Sequence, residues 1–136
     1  MCASAAHAGR VPEKEMTPFG SKVRELRAAR GLTLKAMANE LGVSAAYLSA
    51  LEHGRRGRPT WMFVQGVIGY FNIIWDEAEE LQRLAALSDP RVTIDTAGLS
   101  PEATELANRL AKEIGRLRVE DVEQLLKQLD AMSAKR

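Results

Sequence analysis

The chain is poor in the residues that carry chemistry. Its one cysteine, Cys2, excludes an intrachain disulfide and fits a reducing compartment. Its two histidines, His7 and His53, have no Cys, Ser or Asp partners at metal-ligand or triad spacing, and no glycine-rich phosphate loop occurs. No enzyme and no cofactor are therefore expected, and His53, at a helix end, reads as a capping group. Aromatic residues make up only 5%. No apolar run approaches the roughly 20 residues that cross a bilayer. The first ten residues, MCASAAHAGR, lack the charged start and continuous apolar stretch of a secretory signal, so a cytoplasmic protein is expected.

What is present is an ordinary soluble composition, 46% apolar and 27% charged, over 136 residues: one compact domain, or a small domain with an appendage. The net charge of +1 hides a division. Residues 17–60 carry eight cations (Lys22, Arg24, Arg27, Arg30, Lys35, Arg55, Arg56, Arg58) against Glu25, Glu40 and Glu52, a balance of +5. Residues 61–100 carry two cations against six anions, a balance of −4. Such asymmetry suits a chain that turns one face to phosphates.

Helix signals follow in close order. Residues 1–16 show no periodicity and read as a mobile tail, or as a weak DNA-touching arm through Arg10 and Lys14. Thr17-Pro18 opens a helix with Phe19, Val23 and Leu26 on one face, with Lys22, Arg24, Arg27 and Arg30 on others, and Gly31 ends it. Thr33 caps a second helix with Met37, Ala38 and Leu41 on its inner face. Gly42 turns the chain, and Ser44 caps a third helix carrying Leu48 and Leu51. Ala38 is small where these two helices approach. His53-Gly54 closes the third helix and a basic loop, Arg55-Arg56-Gly57-Arg58, follows. Thr60 opens a fourth helix with a core-facing stripe of Trp61, Val64, Val67, Ile68 and Phe71, weakened by Gly66 and Gly69. Asn72 ends it, and Asp76 with Glu79 forms a capping box for a fifth helix bearing Leu81, Leu84 and Leu87.

From residue 88 the pattern changes. Asp89-Pro90 breaks the helix, and residues 92–96 alternate with a period of two, as a short strand pairing with a twin subunit or as an extended linker. Ser100-Pro101-Glu102 starts a helix whose stripe runs through Ala103, Leu106, Ala107, Leu110, Ile114 and Leu117. A second stripe holds Val122, Leu125, Leu126, Leu129 and Met132. Gly115 and the charged residues after it suggest a break, although one kinked helix also fits. Both stripes are too narrow to make a core and need a partner, either a second copy or the first domain. The predicted organisation is a tail over 1–16, a domain over 17–87, a linker or strand over 88–100 and a helical segment over 101–136, in an all-α fold.

The run from Thr33 to Pro59 resembles the lambda-repressor and Cro-like (xenobiotic-response-element type) helix-turn-helix family of transcriptional regulators. The resemblance rests on Thr33, Ala38, Leu41-Gly42-Val43-Ser44, Tyr47-Leu48-Ser49, Leu51-Glu52, Gly54 and Arg58-Pro59, and extends over roughly the first half of the chain. It implies a five-helix DNA-binding domain whose third helix lies in the major groove of double-stranded DNA. By register the reading positions are Ser44, Ala45, Ala46, Tyr47, Ser49 and Ala50. Ala45 and Ala46 offer methyl contacts to thymine, Ser44 and Ser49 hydrogen bonds, and Tyr47 its ring to the backbone or its hydroxyl to a phosphate. Lys35 and the loop arginines Arg55, Arg56 and Arg58 stand where the family's chain meets the phosphate backbone. Two departures matter: Leu34 replaces a frequent glutamine, and the two alanines replace long polar residues. Specificity is then expected from thymine methyls, DNA shape and contacts outside the helix. A homodimeric repressor on an inverted repeat is expected, and the apolar stripes of residues 101–132 suggest the dimerisation element. The alternative is an antitoxin-like module whose C-terminal helices bind a partner protein.

Overall fold

The computed structural model describes residues 15–135. The readings made for Cys2, His7, Arg10 and Lys14 lie outside the described residues. Seven α-helices follow in order: α1 Pro18–Arg30, α2 Leu34–Leu41, α3 Ala45–Glu52, α4 Trp61–Phe71, α5 Trp75–Ala86, α6 Pro101–Glu113 and α7 Val119–Ala134. A 3-10 turn, Ile114–Arg116, stands between the last two. The chain is all-α, with no strand formed among the described residues, residues 92–96 included. It divides into two compact units, Met1–Val92 and Thr93–Arg136.

The starts of the first four helices are set by side-chain oxygens. Thr17, Thr33, Ser44 and Thr60 accept from the backbone N–H of Gly20, Ala36, Tyr47 and Phe63 at 3.0, 3.0, 3.0 and 3.1 Å. Each hydroxyl satisfies a donor that the first helical turn leaves open. Gly31 and Gly42 end α1 and α2 at φ 65° and 73°, where a Cβ is strained.

The first unit closes around Phe19, Val23, Met37, Leu48, Val67 and Leu81, all fully buried. α1 lies against the end of α3 at close range. A Cβ on Gly20 would fall 2.1 Å from the carbonyl oxygen of Glu52, and that same oxygen accepts from the Thr17 N–H at 3.0 Å. Only glycine permits the approach. Ser88 ties in the far end: its hydroxyl accepts from the Phe19 N–H at 2.8 Å and donates to the Leu84 carbonyl at 2.6 Å.

Several expectations are corrected. Arg27 faces inward, its guanidinium paired with Glu52. α5 begins at Trp75, with φ 56°, after Ile74, and has no side-chain cap. Buried Ile73 draws the link inward, so Asp76 falls inside the first turn, where its charge meets the positive helix end. The inner face of α5 is Leu81 and Ala85, continued by buried Ser88 just past its end, while Leu87 is 59% exposed. Trp61 is 68% exposed, one turn outside the Val64–Val67–Phe71 stripe that fills the core.

The second unit consists of α6 and α7, two helices and not one. Gly115 lies in the turn between them. The Asp121 carboxylate accepts from the Arg118 backbone N–H and Nε, both at 3.3 Å, to start α7. No residue of either helix is buried. A groove of about 350 Å³ is lined by Leu106, Leu110, Ile114, Leu117, Leu125 and Leu129 among others.

Candidate nucleic-acid interface

α2 and α3 are short amphipathic helices whose inner faces are fixed by Met37, Ala38, Leu48 and Leu51, all buried. The turn between them is closed by Gly42 and by the Val43 N–H donating to the Ala38 carbonyl at 3.0 Å. Ala38 is buried there, so a larger side chain would have to displace its neighbours. This anchoring turns the remaining positions of α3 outward. Ser44 and Ala46 are exposed, while Ala45, Tyr47, Ser49 and Ala50 are half-buried, with Ala45 and Tyr47 packed on the core. The outer surface of α3 is therefore short and almost without long polar groups.

Two left-handed glycines, Gly54 (φ 76°) and Gly57 (φ 81°), frame the basic loop. The Arg55 N–H donates to the Ala50 carbonyl at 2.8 Å, so the loop starts as the end of α3. His53 Nδ1 donates to the Ser49 carbonyl at 2.7 Å, which closes the last turn of α3.

Seven of the eight cations of residues 17–60 separate by role. Lys22 pairs with Glu25 at 3.2 Å. Arg27 pairs with Glu52 and reaches the Met37 sulfur at 3.9 Å. Arg30 donates to the Phe71 carbonyl at 3.3 Å, its guanidinium 5.3 Å from the Phe71 ring. These side chains serve the fold. Lys35, Arg55, Arg56 and Arg58 are exposed, and none has a carboxylate partner among the described residues. They stand at the start of α2 and just after α3. Arg56 alone of these four has a neighbour that orients it: its guanidinium lies 5.3 Å from the Tyr47 ring, which meets Phe63 edge-on at 6.3 Å.

Beneath the surface, Arg27 and Glu52 form a buried ion pair that sequence periodicity missed. Burial pushes the Glu52 carboxyl up from its ordinary value, against the hydrogen bond and charge of Arg27. The pair joins α1 to the last residue of α3, on the side away from solvent. Phe63 was also missed. It lies off the fully buried stripe of α4 and packs half-buried against the core beside Tyr47.

The comparisons with known proteins agree with this geometry. The model of the family described as "Helix-turn-helix domain" matches residues 18–71, which run from the start of α1 to the end of α4. The uncharacterized HTH-type transcriptional regulator RghRB of Bacillus subtilis (strain 168) is 50% identical over 44 residues, 32% of each chain. The HTH-type transcriptional repressor RghR of the same organism is 48% identical over 44 residues, 32% of this chain and 33% of its own. The matched stretch thus spans about a third of either relative. A chain of the SinR protein/SinI protein complex is 19% identical, with 85% of this chain and 98% of that one covered, at a TM-score of 0.40, too low to carry an argument. Matched family model, capped helix pair and glycine turn coincide on one segment, and residues 18–71 are a helix-turn-helix domain.

Proposed function

We propose that the chain is a sequence-specific DNA-binding transcriptional regulator that works as a homodimeric repressor. α3 enters the major groove and presents Ser44, Ala45, Ala46 and Ser49, with Tyr47 beside them. Lys35, Arg55, Arg56 and Arg58 hold the phosphate backbone on either side. The observation that carries this reading is the sorting of cations. Lys22, Arg27 and Arg30 of α1 are engaged within the fold, while the four around α2 and α3 stay exposed without carboxylate partners among the described residues. An unpaired cation at such a place is free to replace counterions at a phosphate. The repressor sense rests on the name of the relative RghR.

A domain with so short a reading surface gains affinity by doubling. The exposed leucines of α6 and α7 are suited to a second copy, and two copies would read an inverted repeat with half-sites about 34 Å apart or a multiple of that. The exposed groove also supports a second reading, in which these helices bind a partner protein. Genome-wide mapping of bound sites, followed by binding of the purified chain to the recovered motif, separates the two. An inverted repeat bound by the chain alone is the expected result. No enriched motif and only salt-sensitive, sequence-blind binding would favour the protein partner.

A further inference from the structure

Tyr47, Arg56 and Phe63 come from three segments: the first turn of α3, the basic loop and the first turn of α4. The Tyr47 ring is braced edge-on by Phe63, with the rings at 74° and their centroids 6.3 Å apart. The Arg56 guanidinium lies 5.3 Å from the Tyr47 centroid. A guanidinium that rests against a ring has no acceptor there, so N–H donors remain available to an acceptor elsewhere. An exposed arginine otherwise samples many rotamers and loses that freedom when it binds. Arg55 and Arg58 have no such ring among the described residues. This contact also brings Arg56 beside the first turn of α3, whose exposed N-terminus favours anions.

We propose that Tyr47 is a positioning residue: its ring, braced by Phe63, holds Arg56 ready to grip a DNA phosphate, and Arg56 makes the contact, not the Tyr47 hydroxyl. This rests on the DNA-binding reading above and deepens it.

The test measures binding of the full chain to a mixed-sequence DNA duplex over a series of salt concentrations. Arg56→Ala is expected to weaken binding and to reduce the salt slope by about 0.9, the loss of one phosphate contact. Tyr47→Leu, which keeps apolar volume but no ring, should give the same slope loss. Tyr47→Phe, which keeps the ring, should retain the salt slope whatever it does to overall affinity. The double variant Tyr47→Leu/Arg56→Ala should be no weaker than Arg56→Ala alone, within about twofold, because the two residues act as a unit. Tyr47→Trp keeps a ring and should retain the slope even if it lowers the melting temperature, which separates lost positioning from lost stability. Equal losses for Tyr47→Phe and Tyr47→Leu would overturn the proposal, since the hydroxyl would then be the contact. So would losses that multiply in the double variant, or no effect of Arg56→Ala. A wild-type chain that binds no duplex at all would overturn the DNA reading and this inference with it, whereas a wild type that binds while Arg56→Ala matches it overturns this inference alone.

Discussion

The two units of the chain spend their apolar residues in opposite ways. In the first, thirteen apolar side chains are buried and the helices are locked by caps, a glycine contact and an internal ion pair. In the second, two well-capped helices bury no residue, and Leu106, Ile114, Leu126, Leu129 and Met132 are each more than half exposed. Local signals alone make helices in both. Only the first has the tertiary packing that gives a helix most of its stability in water. The second therefore has the character of a surface awaiting a partner, which is why dimerisation is proposed there and base reading in the first.

The largest effects should come from breaking the first unit. Leu48→Ala removes a fully buried side chain and is expected to cost about 2–5 kcal/mol, enough to unfold so small a domain in a thermal melt. Glu52→Ala should cost about 3–5 kcal/mol, because it strands the Arg27 guanidinium without a partner. Leu110→Ala and Leu125→Ala should leave the melting of the first unit unchanged while weakening self-association in sedimentation experiments. If either destabilises the first unit as Leu48→Ala does, the contrast between the units fails.

Gly20→Ala comes next. Its methyl would meet the Glu52 carbonyl oxygen at 2.1 Å, and a backbone oxygen cannot swing aside. Overpacking of this kind costs about 1–3 kcal/mol, measurable by urea denaturation. An unchanged midpoint would mean that α1 and α3 can separate freely.

How much of this was legible in the sequence follows the range of each interaction. The caps at Thr17, Thr33, Ser44, Thr60 and Ser100 and the glycine turns were readable because each acts within a few residues. The Arg27–Glu52 pair was not, since its partners are 25 residues apart and each looks like a surface charge in its own helix. Exposed Trp61 was misjudged because periodicity fixes a face but not where the covering helices stop. For the site, the basic loop and the α3 positions were legible as candidates. The Tyr47–Arg56–Phe63 arrangement was not, because only the folded chain brings those three segments together.

The pH dependence gives a subtler contrast. Glu52 has a carboxyl raised from 4.5 by burial, so the native state holds its proton at a higher pH than the unfolded chain does. From this group, stability rises as pH falls through the window between 4.5 and the raised value, and declines as pH climbs through it. Exposed Glu80 is shifted the other way by the hydrogen bond from Arg83, and its small contribution fades as pH falls through a value below 4.5. Glu52→Gln should flatten the first slope, and Glu80→Gln should leave it in place. Smallest of all is Arg109→Ala, whose exposed pairs with Glu105 and Glu113 should contribute less than about 1 kcal/mol to a melt.

The most direct test of the central claim compares the full chain with a truncation lacking residues 100–136 on a duplex carrying the mapped inverted repeat. The full chain should bind that repeat as a dimer, at least about a thousandfold more tightly than a scrambled duplex. The truncation should remain folded, become monomeric and bind much more weakly. A truncation that stays a tight-binding dimer would contradict the role given to α6 and α7, and equal binding to repeat and scrambled DNA would contradict sequence-specific recognition by α3.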